Sequence, residues 1–192
     1  MLRLASNNLF ASSKKIRKSQ NSLVRCFEND DISGFICKFG VVLAFGGYDT
    51  YALTAINPAN YECYIRDTLA AFLCGTYQIN VSKEVFGSLG RADIVAKLNT
   101  IDLAKVYVFE LKMLKEKSTP EDTLLEAKEQ ILTRKYVEQH FFTTDIVTAV
   151  SIVLDKETRN IVLYDVMQLE KKQMLASEKF IDVSDIDDIK TI

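Results

Sequence analysis

Residues 105–113 of this chain read KVYVFELKM, the clearest strand signal in the sequence. Its β-branched, aromatic and aliphatic residues predict a β-strand over the whole stretch. Side chains alternate across a strand, so Glu110 and Lys112 lie on one face, while Phe109 and Leu111 lie on the other. A carboxylate and an ammonium group are therefore expected side by side in an otherwise apolar strand.

Two more strands are predicted immediately upstream of this stretch. Gln78 to Phe86 and Arg91 to Leu98 have the composition of strands, and Gly87 to Gly90 turns the chain between them. Strict alternation puts Asp93 on the same face of the second strand as Val95. A second carboxylate therefore interrupts a second apolar strand.

Asp93 and Glu110 can share a metal ion if these two strands are neighbours. Mg²⁺ takes hard oxygen ligands, usually one or two carboxylates together with waters and substrate phosphate. The two carboxylates and the backbone carbonyl of Leu111 supply such oxygens for Mg²⁺ or Mn²⁺. A metal ion there lowers the pKa of bound water and neutralises charge on a scissile phosphate. Lys112 is expected to orient or deprotonate the attacking water and to stabilise the developing charge.

The residues alone leave two structural alternatives open. Glu110 and Lys112 can form a solvated ion pair, which contributes little to stability. Asp93 can close a turn with Arg91 as its partner. Each pair is weak evidence by itself, whereas the conjunction favours a site, because two strand carboxylates without a metal ion would repel each other.

The remaining elements predict an α/β fold, with a mixed β-sheet flanked by helices in the order α-α-β-β-β-α-β-β. Helices are expected from Phe27 to Ala44, capped by Asn29 or Asp30, from Asn57-Pro58 to Gly75, and from a Thr119 cap to about His140. The last two strands are expected from Ile146 to Leu154 and from Asn160 to Val166.

The composition predicts one globular domain without a membrane span. The chain has 192 residues, of which 48% are hydrophobic and 26% charged, and its apolar runs are too short to cross a bilayer. We expect a basic N-terminal segment at residues 1–26, a domain at 27–175 and an acidic tail at 176–192. The first 27 residues contain six basic and no acidic residues, whereas the remaining residues carry a net charge of −8. A transit peptide, a basic arm on nucleic acid and a solvated terminal segment all fit this start.

The cysteines argue against a zinc site. The four cysteines form no C-x-x-C pair, and His140 is the single histidine of the sequence. Cys63 and Cys74 fall inside predicted helices, where reduced thiols packed as small apolar groups are expected. This use of cysteine fits a reducing, cytoplasmic location, with an N-terminal targeting segment as the open alternative.

Six short runs of the sequence carry a family resemblance. They are NYECY at 60–64, VSKE at 81–84, GRADIV at 90–95, YVFELK at 107–112, AKEQI at 127–131 and KY at 135–136. Together they resemble the PD-(D/E)XK nuclease superfamily, and more narrowly the nuclease-like domain found behind AAA-ATPase-like domains in bacterial proteins. The similarity covers roughly Phe27 to Val166. The resemblance implies a restriction-endonuclease-like core in the order α-β-β-β-α-β.

The resemblance also implies functions for individual residues. Asp93 and Glu110 would be the metal ligands, Lys112 the catalytic lysine, and Glu62 an accessory acid that also serves the metal. Gln130 would belong to the motif of the downstream helix.

The chain departs from the family pattern in three respects. Ala92 stands where the name-giving proline would be, as in many members of the superfamily. The chain carries no ATPase domain and would be a stand-alone version. Gln130 and Tyr136 both match the downstream helix motif, but they are six residues apart and are therefore expected on different helix faces.

Other candidates have ordinary alternatives. Glu62 can form an ion pair with Arg66 on the helix surface, an interpretation that weighs equally with the metal one. Glu84 is expected to be a surface charge, and His140 a surface or capping residue. A set of basic residues near the site in sequence can contact phosphates; it comprises Lys115, Lys117, Lys128, Arg134 and Lys135.

The sequence thus predicts a metal-dependent nuclease that hydrolyses phosphodiester bonds, with DNA the favoured substrate and partner. The competing prediction is an inactive nuclease fold that binds nucleic acid or another protein. A third is a structural α/β domain in which Asp93 and Glu110 lie apart. No membrane partner is expected, and a homodimer or a larger assembly remains open.

Overall fold

The structure is a computed structural model, and it describes residues 22–46, 58–74, 78–87, 89–99, 104–158 and 160–172. Most of the basic N-terminal segment and the acidic tail lie outside the described residues. Leu23, Val24 and Cys26, near the end of that N-terminal segment, belong to the hydrophobic core.

A five-stranded mixed sheet forms the centre of the molecule. Its strands are β1 (Ile79–Phe86), β2 (Arg91–Asn99), β3 (Ala104–Met113), β4 (Ile146–Asp155) and β5 (Asn160–Glu170). The spatial order follows the chain, and every neighbouring pair is antiparallel except β3 and β4, which are parallel. A parallel pair requires a crossover connection, and a helix between β3 and β4 supplies it.

Helices cover both faces of the sheet. They are α1 (Ile32–Gly46), α2 (Pro58–Cys74), α3 (Pro120–Thr133) and a 3₁₀-helix (Glu138–Phe142), and residues 22–28 are also helical. Residues of 22–28, α1 and α2 pack with Tyr107, Phe109 and Leu111 of β3 in one core cluster. Ile131 of α3 and the residues that follow it pack with Val106 and Val108 in a second cluster. The predicted α/β fold with a mixed sheet and a restriction-endonuclease-like arrangement is confirmed.

The central position of β3 follows from its sequence. Its residues from Val106 to Leu111 are all buried, because both faces of the strand are covered by helices. Aromatic rings hold the first layer against it: Phe27 makes an edge-on contact with Tyr107 at a centroid distance of 4.5 Å. The Tyr107 hydroxyl also donates a hydrogen bond, and its acceptors within reach are the Phe27 carbonyl at 2.7 Å and Asp30 Oδ1 at 2.8 Å. Burying each such ring contributes roughly 2–3 kcal/mol.

The predicted first helix was wrong at its start. Phe27 belongs to the helical residues 22–28, and a turn containing Asp30 (φ 54°) separates them from α1. The cap is Asp31, whose Oδ1 accepts a hydrogen bond from Gly34 N at 2.8 Å. The apolar pattern runs through the turn because both helical pieces pack against the same core, so periodicity alone did not reveal the break.

The predicted helix around Gln130 was correct at its start and wrong at its end. Thr119 caps α3 by accepting a hydrogen bond from Asp122 N. The helix ends at Thr133 rather than near His140, because Lys135 adopts a left-handed conformation with φ 55°. The chain then turns back and continues as the 3₁₀-helix.

The packing predicted for two cysteines was wrong. Cys63 and Cys74 are exposed rather than packed as apolar groups, as is Cys37, whereas Cys26 is buried. Helical periodicity places Cys63 and Cys74 on the outer side of α2, opposite the stripe that contains Leu69.

Within the described ranges, no helix has the length and apolar character needed to cross a bilayer.

Candidate active site

Strands β2 and β3 separate at Asp93. Their backbone pairing runs from Asn99 opposite Ala104 as far as Ile94 opposite Phe109 and stops there. Beyond this pair, the Asp93 side chain takes the place of a backbone acceptor: its Oδ2 accepts a hydrogen bond from the Leu111 amide at 2.9 Å. The Asp93 carboxylate is thereby fixed between the diverging strands.

The strict alternation predicted for β2 does not hold at this point. Ala92 and Val95 are three positions apart but belong to the same core cluster, while Ile94 belongs to the cluster on the other face. Pairing with β1 skips one position here: Lys83 pairs with Ile94 and Val85 with Ala92, without a Glu84–Asp93 pair between them. Asp93 is therefore absent from the register of both neighbouring strands, and its side chain accepts from the Leu111 amide instead.

Glu110 is the most buried acid of the site, with 2% of its surface exposed. Its Oε1 lies 3.2 Å from Lys112 Nζ, and its buried Oε2 has no hydrogen-bond partner within the described part of the chain. Burial and the neighbouring Asp93 carboxylate raise the pKa of Glu110 to about 8, against the lowering effect of Lys112. Asp93 and Glu110 therefore form a repelling pair that gains from a shared cation.

Lys112 is held by two partners. Besides its contact with Glu110, its ammonium group donates a hydrogen bond to Gln130 Oε1 at 2.5 Å. Gln130 in turn donates from Nε2 to the Tyr136 hydroxyl at 2.8 Å. The expectation that Gln130 and Tyr136 lie on different helix faces was wrong, because α3 ends at Thr133 and the chain folds back.

Glu62 lies on α2 and is half-buried beside the site. Burial and the Asp93 charge raise the pKa of Glu62, while Lys112 and Arg66 lower it. The alternative of a Glu62–Arg66 ion pair loses its basis, because the salt bridges of Arg66 join Asp93 and Glu84. The structure thus brings Glu62 into the electrostatic surroundings of Asp93 and Lys112.

Arg66 is a site residue that sequence reasoning missed. Its guanidinium is buried, with Nη1 at 3.4 Å from Asp93 Oδ1 and Nη2 at 3.0 Å from Glu84 Oε1. Glu84 also contacts Arg91 Nη1 at 3.2 Å and has a positive φ of 52°. The sequence did contain one indication of this role: Arg66 follows Glu62 by four residues, which puts both side chains on one helix face.

Ser151 is a second residue that the sequence did not single out. It pairs with Glu110 in the parallel β3–β4 ladder, and it is fully buried. Its Oγ, like Glu110 Oε2, has no partner among the described residues. Two unsatisfied polar groups therefore lie on neighbouring strands at the site, and a buried serine in the apolar strand IVTAVSIVLD was the only sequence signal.

The basic residues expected at phosphates are mostly engaged within the protein. Lys115 pairs with Glu126, Lys128 with Asp165 and Lys135 with Glu138, while Arg134 donates to the Leu89 carbonyl and Lys117 is exposed. The expectation that His140 lies at the surface was wrong, because it is buried within the 3₁₀-helix segment. Burial, with a smaller effect of Lys97, lowers the pKa of His140 to about 4.

The oxygen donors at this point form a small set: two carboxylates and one backbone carbonyl. Over the ranges that the structure describes, no cluster of three or more His, Cys, Asp or Glu side chains is arranged to hold a metal ion. Asp93 and Glu110 nevertheless offer two adjacent carboxylates, one with an unpartnered buried oxygen. The amide and carbonyl of an extended residue lie on the same strand edge, so the Leu111 carbonyl faces the same gap as its amide. Such a set suits Mg²⁺, which completes its shell with waters and substrate oxygens.

Comparison with known families decides the classification. The family model of the PD-(D/E)XK nuclease superfamily matches residues 59–164, more than half of the chain. The chain belongs to the PD-(D/E)XK nuclease superfamily. The matched residues include Glu62, Asp93, Glu110, Lys112 and Gln130. No match was found among curated proteins or among solved structures.

Proposed function

We propose that this PD-(D/E)XK protein is a metal-dependent nuclease that hydrolyses phosphodiester bonds in DNA. The observation that carries the proposal is the Asp93–Glu110 pair at the point where β2 and β3 separate, with Lys112 held against it. A structural domain with surface ion pairs would not need two mutually repelling acids, one of them almost fully buried.

Asp93, Glu110 and the Leu111 carbonyl would hold Mg²⁺ or Mn²⁺, and Glu62 would contribute from the outer side. A divalent cation in this position supplies charge neutralisation at the scissile phosphate and a more acidic bound water. The hydrogen bond from Leu111 N fixes the orientation of the Asp93 carboxylate before any ligand binds. Preorganised ligands of this kind avoid the cost of ordering them during binding.

Lys112 would orient the attacking water and stabilise the charge that develops on the phosphate. Its ammonium group has two protein partners, Glu110 and Gln130, so a third N–H remains for water or a phosphate oxygen. Gln130 is a positioning residue, since it acts on the reaction through Lys112. Tyr136 extends this chain by fixing the amide of Gln130.

The second candidate function is a nucleic-acid-binding module without catalysis. It is favoured by the Arg66 guanidinium, which lies 3.4 Å from Asp93 and supplies positive charge where a metal ion would. An arginine that keeps Asp93 neutralised competes with the cation. Under this alternative the protein would bind nucleic acid but would not gain stability from Mg²⁺ or Mn²⁺.

A cleavage assay on plasmid, linear duplex, single-stranded DNA and RNA tests the proposal. Each substrate is incubated with Mg²⁺, Mn²⁺ or EDTA and with wild-type protein, Asp93→Asn, Glu110→Gln or Lys112→Met. Asp67→Asn is the matched control, because Asp67 is an ion-paired acid on the exposed side of α2. We expect metal-dependent cleavage that survives only in wild type and in the control. Cleavage by Asp93→Asn at the wild-type rate would exclude the assigned site.

Lys112→Met separates metal binding from turnover. We expect this variant to retain metal binding, measured by calorimetry, while losing cleavage by roughly 100-fold or more, which is typical of a lost proton-transfer or charge-stabilising group. Loss of metal binding in Lys112→Met would instead assign Lys112 to organising Glu110.

A further inference from the structure

The turn between β1 and β2 carries two exposed apolar side chains. Phe86 is 75% exposed and Leu89 54% exposed. Single exposed apolar residues are common on protein surfaces, but here two large ones lie within four residues of sequence. We call Phe86, Leu89, Arg91 and Arg134 the tip surface.

The described residues of this connection make close contacts with the rest of the chain. The Gly87 amide donates to the Gly90 carbonyl at 2.7 Å, and Arg134 Nη1 donates to the Leu89 carbonyl at 3.1 Å. A Cβ atom at Gly90 would lie 2.9 Å from Tyr136 Cε1, so the turn is packed tightly against the chain that follows α3. Phe86 and Leu89 therefore adjoin residues that are hydrogen-bonded and closely packed.

The turn is directly connected to the candidate active site. Arg91, the ladder partner of Phe86, precedes Asp93 by two residues in β2. Tyr136, which packs against Gly90, is the residue whose hydroxyl binds Gln130 and so supports Lys112. The β1–β2 connection is thus linked to the candidate active site through β2 and through Tyr136.

Charge indicates which occupant fits this surface. Arg91 is the ladder partner of Phe86, and Arg134 binds the Leu89 carbonyl. Both arginines are exposed; Arg91 also pairs with Glu84, and each guanidinium keeps further N–H groups for a ligand. Arginine binds phosphates well, and a planar aromatic ring stacks on any nucleobase. An apolar protein surface would not be complementary to two flanking cations, whereas a nucleic acid with exposed base faces is complementary to both features.

We propose that the tip surface binds the nucleic-acid substrate by stacking Phe86 on an unpaired base close to the scissile phosphate. Leu89 covers the edge of the same base, and Arg91 and Arg134 contact the flanking phosphates. The protein then prefers single-stranded DNA, or duplexes with unpaired ends, over intact duplex. This inference rests on the proposed function, since it specifies the substrate of the same site.

Binding measurements in EDTA, where cleavage is suppressed, test this inference. Anisotropy of a labelled oligonucleotide is measured for the single strand, its duplex and a duplex with an overhang. The proteins are wild type, Phe86→Ala, Phe86→Trp and Phe142→Ala, the last being a control because Phe142 is 90% exposed on the 3₁₀-helix. Loss of one base stack should weaken single-strand binding of Phe86→Ala by roughly 5- to 100-fold. Phe86→Trp and Phe142→Ala should bind like wild type.

A stacking readout excludes a merely structural effect. An oligonucleotide that contains 2-aminopurine should show a fluorescence change on binding wild type and Phe86→Trp, and a smaller change with Phe86→Ala. Unchanged affinity of Phe86→Ala, or an equal loss in Phe142→Ala, would overturn the inference. Metal-dependent cleavage by wild type without any dependence of binding on Phe86 would refute the role of the tip surface and support the nuclease function. Phe86-dependent binding without cleavage would support the tip surface and refute the nuclease function.

Discussion

Among the single residues of the site, Glu110 has the carboxylate whose ionisation destabilises the fold most, because it is deeply buried and one oxygen has no partner among the described residues. Its pKa of about 8, raised by burial and by Asp93, lies well above the ordinary value of 4.5. The folded protein therefore binds more protons than the unfolded chain between these two values. The stability associated with Glu110 is present below pH 4.5 and is lost as pH rises towards 8.

Glu110→Gln should therefore stabilise the metal-free protein at alkaline pH. The amide keeps the shape of the side chain without its charge, and we expect a gain of roughly 1–3 kcal/mol near pH 8 in EDTA. Urea unfolding of wild type and variant at acidic and alkaline pH measures the difference. Glu126→Gln, an exposed acid on α3, is the control and should leave stability unchanged. A destabilised Glu110→Gln would show that the carboxylate is already neutralised.

His140 provides a pH prediction away from the site. Its pKa of about 4 lies below the ordinary 6.5, mainly through burial, so the unfolded chain binds the extra proton first as pH falls. The free energy of unfolding of wild type should fall by about 2 kcal/mol more between pH 7.5 and pH 5 than that of His140→Gln. Parallel urea titrations at the two pH values provide the test. Equal losses in both proteins would mean that His140 is protonated in the fold.

At the scale of elements, the turn before β2 and the chain after α3 depend on each other. A Cβ at Gly90 would lie about 3 Å from Tyr136 and Arg134, whereas a Cβ at Gly40 in α1 meets only Asn160 Oδ1 at 3.7 Å. These two glycines therefore form a matched pair, one packed against a neighbouring segment and one in an open helix position.

Gly90→Ala should destabilise the protein by about 1–3 kcal/mol through overpacking. Gly40→Ala should instead raise stability by up to about 1 kcal/mol, because alanine favours the helix. Thermal unfolding measures both changes. Because Tyr136 supports Gln130, Gly90→Ala should also lower the cleavage rate more than Gly40→Ala does. A neutral effect of Gly90→Ala would indicate that the turn can move away from Tyr136.

At the scale of the whole molecule, metal binding should be visible as global stability. A cation that binds only the folded protein stabilises it by about 2.7 kcal/mol at a hundred times its dissociation constant. We expect Mn²⁺ or Mg²⁺ to raise the Tm of wild type but not of Asp93→Asn. The effect should grow from pH 6 to pH 8, since Glu110 must lose its proton to become a ligand. A pH-independent shift that persists in Asp93→Asn would locate the cation elsewhere.

Local signals were enough to predict most elements of this protein. The β3 stretch is apolar on both faces, Thr119 and Pro120 start a helix within four residues, and Pro58 starts another. Each of these features is encoded by neighbours in sequence, so periodicity and capping rules identify them. The sequence also provided Asp93, Glu110 and Lys112 as candidates, since charged residues interrupt two apolar strands.

The assembly of the site depends on tertiary packing. Arg66 is 27 residues from Asp93, and Gln130 is 18 residues from Lys112. Contacts at such separations depend on how helices dock on the sheet, which no local pattern encodes. Helical periodicity also failed to predict the helix end at Thr133, because Lys135 is left-handed. It failed likewise to predict that His140 is buried. Local patterns predict most elements and the residues capable of chemistry, while the packing of α2 and α3 against the sheet brings those residues together.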